Sequence, residues 1–231
     1  MCSNYRPVTD SDRLLRYFGV VREKHEEPVD CWPTGLAPFI RLSHDGSGFK
    51  QIAEGHFGLV PGFQTELAAG RRTYNARTET VARLPSFREA WRKGWRCIIP
   101  AEAIYEPSYE SGKAVRWRIS LPVNEPMGIA GIYAPWTDPH GIERLTFAML
   151  TVNADGHPVM QRFHKPGEEK RMVVILDPKD FEEWLTCSVE EAPKYFTQWM
   201  GPLETESAAL PPRIPVAKTP PEPPTAEPGL F

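Results

Sequence analysis

Apolar and polar positions change period several times along this chain. In the stretch SDRLLRYF the apolar residues Leu14, Leu15 and Phe18 share one side of a short helix, which Gly19 stops. Pro33, Gly35 and Pro38 break residues 28–42 before an apolar run that reads as a strand, and a second strand-like run ends in the turn Gly58-Leu59-Val60-Pro61-Gly62-Phe63. Ser86 and Glu89 have the spacing of a capping box; Phe87, Ala90 and Trp91 follow at helical spacing, and Gly94 ends that helix. It should bury its aromatics and show Arg88, Arg92 and Lys93 to solvent. A strand over 95–99 is punctuated by Pro100, after which Ala103-Ile104-Tyr105-Glu106-Pro107 places an acid at the end of an apolar run. Alternation over 115–121, then apolar runs over 128–133, 145–152 and 171–176, predict further strands. Asp177 should cap a helix opened by Pro178, and Ser188 with Glu191 offers a second capping box.

Strands at short spacing with few helices between them predict an α+β fold: one domain over 2–207, built on a mostly antiparallel, curled or barrel-like β-sheet with peripheral helices. Residues 208–231 hold eight prolines in 24 positions and read as a Pro-rich disordered tail without a catalytic part.

Composition narrows the class. With 231 residues and 41% apolar content, the chain can bury one sizeable core. No apolar run approaches the ~18 residues of a membrane span and no charged-then-apolar leader opens the chain, so the expected setting is cytoplasmic or nucleoid-associated, away from the membrane. Cys2, Cys31, Cys97 and Cys187 are scattered without a CxxC pair, which argues against a zinc ribbon or a disulfide framework; the last three read as small buried residues. Net charge is −3, but residues 71–96 carry eight Arg or Lys against Glu79 and Glu89, a local +6, while 177–191 carries six acids against Lys179. A basic face on a mildly acidic protein is compatible with phosphate contact, and equally with a solvated helix face.

The chemistry-bearing residues begin at the terminus. Cys is small enough for the initiator methionine to be removed, and a mature chain starting at Cys2 carries an amine and a thiol two carbons apart, with ordinary pKa values of roughly 7.7–8.0 and 8.5. An amine adds reversibly to an aldehyde as an imine; the neighbouring thiol can close on the imine carbon to give a thiazolidine, which is far harder to reverse. His164, in a loop before the 171–176 run, can serve as acid or base near neutral pH. His157 and His164 do not have metal-ligand spacing, and there is no GxSxG, phosphate loop or HExxH, so neither metal nor cofactor is expected. From the residues alone the candidates are Cys2, Asn75, Glu106 and His164, without a mechanism.

Taken together, Met1-Cys2, Asn75-Ala76-Arg77-Thr78-Glu79-Thr80, Arg96-Cys97-Ile98-Ile99-Pro100-Ala101 leading to Tyr105-Glu106, Ala130-Gly131-Ile132-Tyr133, and His164 followed by Arg171-Met172-Val173-Val174-Ile175-Leu176 resemble the SOS response-associated peptidase family, whose members process abasic sites. The resemblance covers roughly residues 2–200 in order. It implies a protein that binds single-stranded DNA and captures the ring-opened abasic deoxyribose as a covalent thiazolidine crosslink, with AP-lyase cleavage as a side branch. In that scheme the Cys2 amine attacks C1′ and its thiol closes the ring, Asn75 holds the Cys2 backbone, Glu106 shuttles protons, His164 serves the sugar-ring oxygen, and Arg77 pins a phosphate. The implied partner is single-stranded DNA containing abasic sites, with replication-fork proteins as a further class, and the default state is a monomer.

The chain departs from the family pattern in three places. Met-Cys-Gly-Arg-Phe is replaced by Met1-Cys2-Ser3-Asn4-Tyr5, which removes one phosphate-binding arginine and shifts that duty to Arg71, Arg72 and Arg162. Pro107 stands where a Trp often follows the acid, and six residues separate His164 from Arg171. Two other functions compete, the first on the same residues and the second on the basic segment and aromatic residues. In an N-terminal cysteine (auto)peptidase, Cys2 would attack a peptide carbonyl with His164 as base and Asn75 as orienter. A noncatalytic single-strand binder would stack bases on Trp32, Phe63 or Trp91.

Overall fold

The computed structural model of the chain describes residues 2–24, 27, 29–43 and 45–210. In chain order its elements are β1 (Asn4–Pro7), α1 (Ser11–Phe18), β2 (Leu36–Leu42), β3 (Lys50–Phe57), β4 (Asn75–Arg77), α2 (Arg88–Arg92), β5 (Arg96–Ser108), β6 (Val115–Ser120), β7 (Met127–Thr137), β8 (Glu143–Asn153), β9 (Arg171–Val173), β10 (Ile175–Leu176), α3 (Phe181–Thr186) and β11 (Glu204–Ser207). The sheet runs β10-β7-β8-β3-β2-β5-β6-β11, and a further pairing of β5 with β7 closes β7, β8, β3, β2 and β5 into a ring. The fold is therefore α+β, a curled and mostly antiparallel sheet with helices at its periphery; β3 and β4 run parallel to β8.

Closure forces inward side chains to be large and apolar. Phe39, Phe57 and Phe147 are fully buried, with ring centroids 5.3 Å apart for Phe39–Phe147 and 5.6 Å for Phe57–Phe147. Each such ring contributes about 1.5–3 kcal/mol by burial. Trp184 of α3 plugs one side, its indole N–H donating to the Cys97 carbonyl at 2.9 Å.

Strand β5 has two partners in succession, and this is what builds the site. Residues Arg96 to Ala101 pair with β7 in the ring, and Ile104 to Ser108 pair with β6. The second half also holds β1, with Asn4 opposite Tyr105. The start of β1 thus lies opposite the residue next to the acid Glu106.

Several local expectations hold. Gly19 takes φ 68° and closes α1, whose N-cap is Asp10; Asp177 accepts from the Lys179 N–H ahead of α3; Ser188 and Glu191 make both halves of a capping box. Others are corrected. Leu15 is exposed, because α1 is only eight residues long and its buried side narrows to Leu14 and Phe18. The Ser86 and Glu89 box does not form: Phe87 and Arg88 donate to the Leu84 carbonyl, continuing a preceding turn, and Glu89 pairs forward with Lys93. Pro100 does not interrupt β5; it has no N–H to give, and its carbonyl accepts from Val8. The run over 171–176 is two strands, since Val174 passes from the Leu150 carbonyl of β8 to the Ala130 N–H of β7. Cys31, Cys97 and Cys187 are buried free thiols. Of the expected tail, residues 211–231 lie outside the described residues; Ala208 is tied to Arg116 by two hydrogen bonds.

Candidate active site

Cys2 is 1% exposed at the head of β1. Its thiol donates to the Asn4 carbonyl at 3.2 Å, and its own carbonyl accepts from Asn75 Nδ2 at 2.8 Å, from 73 residues away. Asn75 is placed there by the approach of the chain before it. Gly58, with φ 118°, lies so close to Gly70 that a Cβ would stand 2.2 Å from the Gly70 carbonyl oxygen. That approach, with Thr73 Oγ1 donating to the Leu59 carbonyl, delivers the chain into β4 beside β8. The Asn75 Oδ1 is buried and makes no hydrogen bond among the described residues.

Glu106 is 1% exposed on β5. His164 follows the 3-10 turn Met160–Arg162 and reaches β5 through its N–H, which donates to the Pro107 carbonyl at 2.9 Å; Phe163 bridges Ser108. This brings His164 Nε2 to 3.1 Å from Glu106 Oε2. Neither imidazole nitrogen makes a hydrogen bond among the described residues, and His164 has φ 64°, a left-handed conformation that a side-chain-bearing residue rarely adopts.

Burial first, and the charge of Glu106 second, push the Cys2 thiol up to about 12. The thiol is therefore protonated near neutral pH. A group no spacing marks also belongs here: burial, followed by the charges of Cys2 and Glu106, pushes the hydroxyl of half-buried Tyr74 up. Asn4 Nδ2 is another buried atom without a partner among the described residues. The four candidates from across the sequence thus form one cluster: a thiol, an amide clamping its backbone, and an acid facing an imidazole.

The basic residues are placed less uniformly. Arg71 and Arg72 are exposed. Arg77 is exposed but pairs with Glu169 at 2.8 Å; Glu169 in turn holds buried Arg171 at 2.8 Å, and Arg171 makes a two-armed contact with Glu79. Hydrogen bonds from Arg171 pull both carboxyls below their usual range. Arg162 is engaged by Glu110 through Nε at 2.9 Å and Nη2 at 3.1 Å. Arg96, counted in the basic segment, is buried against the Cys187 and Ser188 carbonyls. Of the three suggested stacking aromatics, Trp32 and Phe63 are exposed, whereas Trp91 is buried against Phe196. Among the described residues no three His, Cys, Asp or Glu side chains converge as metal ligands would.

The profile described as SOS response associated peptidase (SRAP) matches residues 1–214. Among curated relatives, the abasic site processing protein YoqW of Bacillus subtilis (strain 168) is 27% identical over 211 residues, 89% of each chain. The abasic site processing protein HMCES of Gallus gallus is 27% identical over 162 residues, 60% of this chain and 46% of that one. A solved structure from Bordetella bronchiseptica superposes with a TM-score of 0.82 at 37% identity, covering 90% of this chain and all of that one. A second, from Bacteroides thetaiotaomicron, shares the fold with a TM-score of 0.74 at 22% identity, over 89% and 91% of the two chains.

Proposed function

The chain belongs to the SOS response associated peptidase family, and from that premise we propose that it processes abasic sites in single-stranded DNA by joining the Cys2 aminothiol to the ring-opened sugar. The observation that carries this reading is a chain of contacts: Asn75 holds the Cys2 carbonyl, Glu106 bears on the Cys2 thiol, and His164 faces Glu106. Once Met1 is removed, the Cys2 amine adds to the C1′ aldehyde. Glu106 takes the proton that the amine sheds and returns it to the hydroxyl, which leaves as water and yields the imine. The thiol then adds to C1′ while its proton goes to the imine nitrogen, so that aldehyde and aminothiol become thiazolidine and one water. If the imine instead loses a C2′ proton, the C3′–O bond breaks and the strand is nicked, which is the lyase branch.

The protonated, buried thiol supports this order of events. A peptidase nucleophile must be a thiolate at the start; here the amine attacks first and the thiol is needed only for closure. Asn75, by fixing the Cys2 carbonyl, raises the effective concentration of both groups at C1′. To His164 we assign the sugar-ring oxygen during opening, a role supported by its Nε2 lying 3.1 Å from Glu106 Oε2, its proton partner. Arg77 stands at the exposed edge of β4, two residues from Asn75, and is assigned the phosphate beside the lesion.

The test is intact mass of the purified protein, then incubation with a single-stranded oligonucleotide carrying one abasic site and a denaturing gel. Loss of Met1 and a heat-stable shifted band that disappears in Cys2→Ala are expected. A mature Cys2 terminus with no shifted band would sink the proposal.

A further inference from the structure

The left-handed backbone of His164 persists only if its surroundings over-determine it. On its amino side, the bonds to β5 described above do so. On its carboxyl side stands a residue to which the reaction gives no part. Lys170 Nζ donates to the carbonyls of Phe163 at 2.9 Å, His164 at 3.3 Å and Lys165 at 3.0 Å. An ammonium has three N–H donors. All three are spent on consecutive carbonyls of the turn that carries His164, leaving none for a carboxylate.

Lys170 is itself fixed by its backbone. Its N–H donates to Asp155 Oδ1 at 2.9 Å and its carbonyl accepts from the Ala154 N–H at 2.7 Å, just beyond the pair Asn153 and Arg171 that ends the β8–β9 ladder. The side chain therefore transfers the rigidity of that ladder to a turn with no strand of its own. Without the ammonium, the Phe163 and His164 carbonyls would lose their donor and the Lys165 carbonyl would keep only the Glu168 N–H at 3.2 Å, and the φ at His164 would have one support instead of two.

We propose that Lys170 is a positioning residue that holds the His164 imidazole against Glu106. It touches neither substrate nor reacting atoms, and the assignment rests on the reading of His164 as an acid–base residue. The experiment compares Lys170→Met, His164→Gln and the double variant in the full chain, measuring single-strand affinity by anisotropy and crosslinking rate on an abasic oligonucleotide. Lys170→Met should slow crosslinking about tenfold by misplacing the imidazole, with affinity unchanged within about twofold. It should add no further slowing once residue 164 is Gln, because both changes remove the same contribution. Lys170→Arg, whose planar fork cannot cap three consecutive carbonyls, should fall between. Lys170→Gln replaces Lys170→Met if thermal unfolding shows that the latter does not fold. A wild-type rate in Lys170→Met, or an equal slowing in both backgrounds, overturns the proposal while leaving His164 in place. A wild-type rate in His164→Gln overturns the His164 assignment and the Lys170 proposal with it.

Discussion

The turn that carries His157 and the turn that carries His164 both bury their imidazole, at 1% and 7% exposure, yet they treat it in opposite ways. His157 Nε2 lies 2.7 Å from the Trp199 carbonyl, and its Nδ1 accepts from the N–H groups of Val159 and Met160 at 3.1 and 3.0 Å. Both nitrogens of that ring are occupied. Among the described residues His164 has no hydrogen bond to its ring; it has a left-handed backbone and a carboxylate at 3.1 Å. Leaving a buried polar atom unpaired costs about 1–3 kcal/mol. The first turn avoids that cost at both ring nitrogens; in the second Nε2 faces the Glu106 carboxylate and Nδ1 carries it, so what separates the structural histidine from the one proposed to do chemistry is satisfaction, not burial.

Exchanging the two roles is the most severe test. His164→Gln should lower the crosslinking rate about 10²-fold or more, as for loss of a general acid–base group, with the melting temperature unchanged or raised. His157→Gln should instead cost about 1–3 kcal/mol in urea unfolding and leave the rate of the folded fraction intact. Equal losses of rate in both would erase the distinction.

A second test asks whether Glu106 governs the thiol as it faces the imidazole. With burial and the Glu106 charge holding the Cys2 thiol well above its ordinary value, little thiolate is present at pH 8. Alkylation by iodoacetamide, followed by mass spectrometry, should therefore be slow at pH 8 and rise about tenfold per pH unit between 8 and 10. Glu106→Gln removes a charge that raises the thiol, so it should speed Cys2 alkylation at fixed pH. A slower reaction would contradict the arrangement.

The smallest effects concern the neighbouring ion pairs. Arg77→Ala should weaken binding to any single strand, lesion or not, and reduce the slope of log affinity against log salt by about 0.7, one phosphate's share. Glu169→Gln, which releases Arg77 from its carboxylate, should tighten binding about twofold, since an exposed pair holds its partner only weakly.

Local chemistry in this chain was readable wherever one turn decides the outcome. Gly19 and the Ser188–Glu191 box depend only on near neighbours and were legible. The Ser86–Glu89 box has the same letters, but the turn before it had already taken the helix N-terminus, and Lys93 took the acid. Pro100 looked like a stop because its missing N–H counts against a strand; it lies within β5 because Val8 of another segment supplies the bond its carbonyl needs. The candidate site was legible only as a joint pattern, for Cys2 and Asn75 meet across 73 residues and no periodicity reports such a contact. Tyr74 and Lys170 escaped for the same reason. Their importance lies in what faces them, and a lone Tyr or Lys carries no spacing that says so.

Strand β5 closes the ring with its first half and carries Glu106 in its second, on one unbroken strand. Amides over 96–99, in the ring itself, should therefore exchange with deuterium only when the whole barrel opens, and those over 104–107, held by β6 and β1, more readily. On the proposed reading this sets a clock. A protein that remains covalently fixed to a broken sugar shields it for as long as its own fold survives, and the lifetime of that shield is the unfolding time of the barrel.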